Sequence, residues 1–257
     1  WYRMMIAAGV LAGVLALGGR IHTPTLREAW RMGCCGALLA VHWVLFYGSI
    51  KAANVSVGVV CFALNGFFTA LLEPMASGKR FSLRDLLLGL ITVGGIVLIF
   101  GLNMQFRTGI VIGTFSSLFY TLFAIASKRV QSATGVESSA MLLYELLTGW
   151  CVLSLAMPFY AMLYPSVSLM PEGSDWLFIT LFASVFTIGP FLTQLQALRT
   201  LSAFTVNLSY NLEPLYSIAL AMLLFNEAQE LNLSFWMGVS MIVAAVGYHA
   251  MCRKDGE

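Results

Sequence analysis

The sequence predicts an all-α protein, a polytopic membrane bundle of nine helices. Apolar residues make up 59% of the chain and charged residues only 10%, and the mean hydropathy is +0.84. A soluble domain is about half apolar and about a quarter charged, so this chain has too few charges to cover a water-facing surface. Apolar stretches of roughly 20 residues, enough to cross a bilayer core, recur from end to end.

Each predicted helix corresponds to one apolar stretch between more polar residues. In chain order the stretches are 2–19, 33–52, 55–77, 86–103, 109–127, 139–163, 176–198, 203–225 and 233–252. Trp and Tyr side chains stand near several of the ends, which is typical of the aromatic belt at the lipid headgroups. The connections are too short for a separate soluble domain, so we expect any site to lie within or between the helices.

Basic residues predict the orientation of the helices. Eleven of the 14 Lys and Arg residues fall in one set of alternating loops, and only Arg3, Lys51 and Arg107 fall in the other. Lys and Arg accumulate in cytoplasmic loops. The bias therefore predicts a cytoplasmic C-terminus, with Trp1 on the opposite side of the membrane.

An internal repeat relates the two halves of the chain. A shift of 148 residues pairs Lys51 with Arg199 and Phe68 with Tyr216, and further apolar and small residues match at a shift of 148 or 149. A competing shift of 140 aligns two Leu-Glu-Pro triplets, but it leaves the following helices about nine residues out of step. The preferred shift predicts two repeats, residues 1–104 and 109–252.

Charge in the connecting segments indicates that the repeats are inverted. Segment 78–84 is basic, whereas the corresponding segment 226–232 has no Lys or Arg. Corresponding segments thus lie on the cytoplasmic side of the membrane in one half and on the opposite side in the other. This marks inverted-topology repeats, and it requires an odd number of helices in each repeat. Span 109–127 has no counterpart in the first repeat, which gives four helices plus five. We therefore expect an incomplete copy of a ten-helix protein, lacking its first helix.

Glu213 is the main candidate for a functional charge within a span, because ionisable residues there are costly and mark functional sites. The repeat shift pairs it with Asn65, so both are expected near the membrane midplane, where inverted-repeat transporters bind substrate. Pro214 lacks an N–H, and we expect this to leave the carbonyl of Tyr210 free to face a cavity. Asn211 is expected nearby.

Two further glutamates have different expected roles. Glu145 lies about six residues into its helix, where it either carries a coupling proton or hydrogen-bonds a neighbouring helix; both interpretations stay open. Glu73 lies near the end of its span, where we expect its carboxylate to reach water or the adjacent Lys79 and Arg80.

Aromatic and neutral polar residues complete the predicted substrate site. His42 and Trp43 fall near the middle of their span and are expected across the cavity from Glu213; Tyr120 and Gln194 are expected to line it. The five cysteines show no metal-ligand spacing, so we expect them to act as small apolar residues. No phosphate-binding loop motif is present, so ATP bound to this chain is not expected to drive transport. No cofactor is predicted.

Three segments carry a family resemblance: FFTALLEP at 67–74, YELLTGW at 144–150, and the stretch from 201 to 227. The pattern resembles the EamA-type branch of the drug/metabolite transporter superfamily. The resemblance implies ten helices in two inverted five-helix repeats with both termini cytoplasmic. It also implies a secondary transporter, an exporter of small metabolites such as amino acids, which works by alternating access at a midplane cavity in the bacterial cytoplasmic (inner) membrane.

Two alternatives remain beside transport. The missing helix keeps a non-transporting scaffold or assembly partner open, while an intramembrane enzyme would need a nucleophile with a base, or a metal cluster, at matching depth. The chain is not expected to be an enzyme, because its three histidines lie on separate elements. The expected partners are a small-molecule substrate and the lipid bilayer, with a homodimer left open. No nucleic-acid partner is expected, since the basic residues form no patch.

Overall fold

The computed structural model describes residues 1–53, 55–78, 81–100, 107–165, 169–213, 216 and 233–254. Every regular element among them is helical, and each of the nine predicted spans contains helix, which confirms the all-α fold class. In chain order the α-helices are α1 (Tyr2–Leu17), α2 (Leu26–Ala52), α3 (Val55–Phe62), α4 (Leu64–Ser77), α5 (Leu83–Phe100), α6 (Arg107–Thr134), α7 (Ser138–Leu163), α8 (Asp175–Ala183), α9 (Gly189–Thr200), α10 (Ala203–Ser209) and α11 (Leu233–Lys254). A π-helical turn (Ser184–Ile188) joins α8 to α9, and a 3₁₀ turn (Tyr210–Leu212) follows α10.

Two helices extend beyond the predicted spans, and local signals explain both extensions. α2 begins at Leu26 because Thr25 and Glu28 form a capping box: the Thr25 N–H donates to the Glu28 carboxylate at 2.8 Å, and the Glu28 N–H donates to the Thr25 hydroxyl at 3.3 Å. α6 continues past residue 127 until Gly135, whose φ of +66° ends the helix in the left-handed conformation.

Membrane-length helices are present in several parts of the described chain. Five apolar helical stretches are long enough to cross a membrane: Leu26–Ala52, Val57–Ser77, Arg107–Thr134, Ser138–Leu163 and Asp175–Thr200. Two shorter apolar helical stretches are Tyr2–Leu17 and Trp236–Tyr248.

The chain divides into two compact units. The first unit contains residues 1–40 and 126–200, and the second contains residues 41–125 and 201–257. Each unit thus combines residues from both predicted repeats. The repeat boundaries and the inverted relation between the repeats therefore stay predictions.

In the first unit, α1 packs against α7, α8 and the π-helical turn. The Arg3 Nε donates to the Thr187 hydroxyl in that turn at 2.7 Å, and its guanidinium lies 4.5 Å from the centre of the Phe182 ring. α2 crosses α7 so closely that a Cβ on Gly36 would overlap the backbone of Glu145. Small residues permit such close helix packing within membranes.

In the second unit, α5 packs along both α4 and α11, and α10 packs against α4. Close approach again depends on glycine, since a Cβ on Gly95 would lie 2.7 Å from the Gly238 carbonyl oxygen. The apolar core of this part consists of Ala70, Leu88, Phe204, Leu208 and Ala245. This packing fixes α4 and α10 beside each other.

Candidate functional site

Two helix interruptions lie in the second unit, at positions that the predicted repeat relates. The first separates α3 from α4 at Ala63, where the Phe62 carbonyl accepts a hydrogen bond from the Ser117 hydroxyl of α6 at 3.1 Å. The second is the 3₁₀ turn that begins at Tyr210. The 148-residue shift pairs Phe62 with Tyr210, and their ring centres are 6.0 Å apart. Interrupted helices are frequent at the ligand sites of membrane transporters.

Five aromatic side chains assemble around these interruptions: His42, Phe46, Phe62, Tyr120 and Tyr210, here called the ring cluster. The His42 ring centre lies 5.9 Å from that of Phe46, 5.5 Å from Phe62 and 4.9 Å from Tyr120. Tyr120 lies 4.7 Å from Phe62 and 5.9 Å from Tyr210, both at steep angles. The structure therefore brings together three residues that the sequence predicted, from α2, α6 and the end of α10.

A neighbouring helix fixes the orientation of His42. Its Nδ1 lies 2.9 Å from both the hydroxyl and the carbonyl oxygen of Ser116, and the side chain is 4% exposed. The Ser116 hydroxyl also lies 3.2 Å from the His42 carbonyl oxygen. The histidine ring is thus attached to α6 through one nitrogen, in an aromatic environment.

Beside the ring cluster, Asn65, Thr69, Thr121 and Asn207 form a buried polar group, here called the amide network. The hydroxyls of Thr69 and Thr121 donate to the backbone carbonyl oxygen of Asn65 at 2.6 and 3.2 Å. The Asn207 Nδ2 donates to the Thr69 hydroxyl at 2.7 Å, which joins α10 to α4. All four side chains are completely buried.

Asn65 is exceptional within the amide network, because both polar atoms of its side chain are buried and have no hydrogen-bond partner among the described residues. The Oδ1 of Asn207 is also without a partner. Buried polar groups are nearly always hydrogen-bonded, so each exception needs an explanation. The network therefore presents one unused donor and two unused acceptors.

Glu213 lies at the end of the 3₁₀ turn, and its side chain is exposed. The prediction that the Tyr210 carbonyl is free is wrong. The Glu213 N–H donates to that oxygen, because a 3₁₀ turn bonds residues three apart and does not need the N–H of Pro214. Pro214 and the Asn211 side chain lie outside the described residues.

Two predicted site residues, Glu145 and Gln194, lie in the first unit. The Glu145 side chain is completely buried; one carboxyl oxygen accepts from the Ser127 hydroxyl at 2.7 Å, and the other has no partner. Gln194 is 3% exposed, with its Nε2 unpartnered. Trp43, which follows His42 on α2, lies in the second unit and is also buried.

Glu73 has partners that the sequence did not indicate, while Lys79 and Arg80, its expected partners, lie outside the described residues. Its carboxylate accepts hydrogen bonds from the N–H groups of Ala203 and Phe204 at 3.1 and 2.8 Å, and the side chain is 7% exposed. These are the first N–H groups of α10, which have no partner within the helix, so a carboxylate there is stabilised by hydrogen bonds and by the helix dipole. Glu73 holds α10 against α4.

Sequence reasoning missed Phe62 and Ser116. Phe62 had a usable signal, because the repeat shift pairs it with Tyr210. Ser116 had none, since a small hydroxyl residue in a membrane helix commonly bonds its own helix backbone.

Comparisons with known proteins place this geometry in context. A sequence model described as the EamA-like transporter family matches residues 1–101 and 107–248. No curated protein sequence matches the chain. Among 28 matching chains of solved structures, one titled "Crystal structure of protein" is 17% identical, with a TM-score of 0.70. The match covers 95% of this chain and 85% of that one, and at this identity it shows the fold alone.

Proposed function

Because the chain belongs to the EamA-like transporter family, we propose that this multi-pass membrane transporter is a secondary exporter of small metabolites such as amino acids. We assign its substrate site to the ring cluster and the amide network. We place the protein in a bacterial cytoplasmic membrane with its C-terminus inside, as the distribution of Lys and Arg predicts.

The unpaired amide of Asn65 is the observation that carries the proposal. Leaving a buried polar group without a partner costs about 1–3 kcal/mol. A bound substrate with a donor and an acceptor would remove that cost: a carboxylate can accept from the Asn65 Nδ2, and an ammonium or hydroxyl group can donate to its Oδ1. The free Oδ1 of Asn207 offers one further acceptor.

The ring cluster supplies the complementary part of the site. Aromatic faces attract ammonium groups, and the attraction is strongest where water is excluded. The exposed carboxylate of Glu213, which follows the 3₁₀ turn that contains Tyr210, can hold the same ammonium group or exchange a proton for it. Aromatic faces, neutral amides and one carboxylate together suit a small zwitterion.

Alternating access follows from the repeat. Two repeats that rock around a shared site expose it to one side of the membrane at a time. The contact of Phe62 with Tyr210 supports a site on the repeat axis, since residues related by a twofold axis meet where they approach it. Glu145, buried with one unpartnered oxygen, is the second candidate for proton coupling.

Counterflow in proteoliposomes tests the proposal. Vesicles loaded with one unlabelled amino acid from a panel should accumulate the same labelled amino acid, at least for one member. Tyr210→Ala should abolish the signal, whereas Tyr216→Ala should keep it, because Tyr216 is 65% exposed and lies outside the ring cluster. A folded, correctly inserted protein that gives no counterflow with any zwitterion would contradict the proposed substrate class. Equal activity in the two variants would contradict the proposed site.

A further inference from the structure

A groove in the first unit lies between the beginning of α2 and the end of α6, and the proposed transport function does not use it. Its volume of about 490 Å³ is in the range of small-molecule sites, about 300–1,000 Å³. It is lined by Trp30, Arg31, Cys34, Cys35, Ala126, Arg129, Val130 and Ala133. We call it the α2–α6 groove.

Helical spacing explains why both apolar and basic residues line the α2–α6 groove. On α6, Ala126, Val130 and Ala133 recur at intervals of four and three residues, so they form one apolar face with Arg129 at its edge. On α2, Trp30 stands one turn before Cys34, and Arg31 one turn before Cys35. The groove thus has small apolar residues along its length and guanidinium groups from both helices.

Neither Arg31 nor Arg129 makes a hydrogen bond or an ion pair with another described residue. The acidic residues at this end of the unit are already engaged, since Glu28 is bonded within its capping box and Glu137 is paired with Arg20. Two arginines without an ion-pair partner among the described residues therefore line one groove. Arginine binds phosphate strongly, because its planar group donates two parallel hydrogen bonds.

We propose that the α2–α6 groove binds one anionic phospholipid, with its phosphate between Arg31 and Arg129 and its acyl chain along Ala126 and Val130. The chain is a multi-pass membrane protein, so lipid surrounds it at all times. Trp30 is 75% exposed at the start of α2, as expected for an aromatic side chain at the headgroup level. Basic pockets between membrane helices suit acidic headgroups, because the guanidinium groups neutralise the phosphate.

Lipid retention provides the first test. The protein is extracted from nanodiscs that contain equal amounts of phosphatidylglycerol and phosphatidylcholine, and bound lipids are counted by native mass spectrometry. The wild type should retain one phosphatidylglycerol. Arg31→Gln and Arg129→Gln should each weaken retention about fivefold, and the double variant roughly 25-fold.

Arg27→Gln is the matched control, because it removes the same charge one turn earlier on α2, from an exposed residue that does not line the groove. It should retain lipid like the wild type. An equal loss of phosphatidylglycerol retention in Arg27→Gln would mean that diffuse surface charge, and not the groove, holds the lipid. That result would overturn the proposal. Retention of phosphatidylcholine as strongly as phosphatidylglycerol would also overturn it.

The thiol of Cys34 gives a second readout and separates lipid from free anion. Cys34 is exposed and lines the groove, and replacing Cys151 and Cys252 by Ser leaves the buried Cys35 and Cys61 as the other thiols. Neutral N-ethylmaleimide should label Cys34 more slowly in phosphatidylglycerol nanodiscs than in phosphatidylcholine nanodiscs. Inorganic phosphate added to phosphatidylcholine nanodiscs should give no protection; protection by phosphate would identify a free-anion site and refute the lipid occupant. Equal labelling in both lipids would refute it as well.

Discussion

Replacing Asn65 by Ala should stabilise the protein while impairing transport. The change removes a buried amide whose donor and acceptor both lack partners. Relief of that penalty is worth about 1–3 kcal/mol. The small cavity left by the lost atoms costs roughly 1 kcal/mol, at about 24 cal/mol per Å³. We therefore expect the free energy of unfolding to rise by about 0–2 kcal/mol, whereas an ordinary buried residue would lose stability on truncation.

Transport by the Asn65→Ala variant should fall, although its stability rises. A hydrogen bond to a charged substrate group is worth about 1.5–3 kcal/mol, so its loss should lower transport at limiting substrate by roughly 10- to 150-fold. Stability is measured by denaturant titration in detergent, with tryptophan fluorescence as the signal. Transport is measured by counterflow with the same preparation, corrected for the amount of inserted protein.

Asn207→Ala is the control for this prediction. Asn207 lies in the same network, but its Nδ2 donates to Thr69 at 2.7 Å. Its truncation breaks a bond and opens a similar cavity, so stability should fall by about 1–2 kcal/mol. If Asn65→Ala loses stability to the same extent and transports normally, then Asn65 is structural and the reasoning fails.

Three further substitutions test other parts of the structure. Glu73→Gln should destabilise the protein by about 1.5–3 kcal/mol, since a charged acceptor at the start of α10 is lost, and hydrogen exchange of the Ala203 amide should accelerate. Gly36→Ala should cost about 1–3 kcal/mol in unfolding titrations because the new methyl group overlaps backbone, whereas Gly9→Ala, with no atom within 4 Å, should not destabilise. Glu213→Gln should insert normally yet abolish transport or its dependence on pH between about 6 and about 8; unchanged transport would make Glu213 a structural residue.

The fold followed from the sequence more readily than the site did. Hydropathy alone predicted nine spans, each of which contains helix among the described residues, because crossing a bilayer demands long apolar stretches that few other structures require. The start of α2 was also encoded locally, since Thr25 and Glu28 form a capping box that hydropathy ignores. Helix ends in the headgroup region depend on such polar signals.

Three predicted site residues, His42, Tyr120 and Tyr210, lie together in the structure, and each was chosen because a rare residue type occupied a span. Contacts with backbone groups far away in sequence were not predictable. Glu73 was assigned to charges beside it, and its hydrogen bonds to N–H groups 130 and 131 residues away are ones that no composition or periodicity reveals. The missing N–H of Pro214 led to a wrong prediction for the Tyr210 carbonyl, because the 3₁₀ turn brings the Glu213 N–H to that oxygen instead.

The π-helical turn (Ser184–Ile188) bears on how the length of this chain can vary. The turn contains one residue more than an α-helical turn and absorbs it locally. Deleting exposed Val185 should therefore restore a continuous α-helix while Gln194, Leu195 and Leu198 keep their inward direction. A deletion within α8 would not be absorbed locally, because a regular α-helix has no extra residue to lose. It would rotate the same three side chains by about 100° around the helix axis. Natural one-residue gaps should accordingly fall between residues 184 and 188, and seldom elsewhere along these two helices.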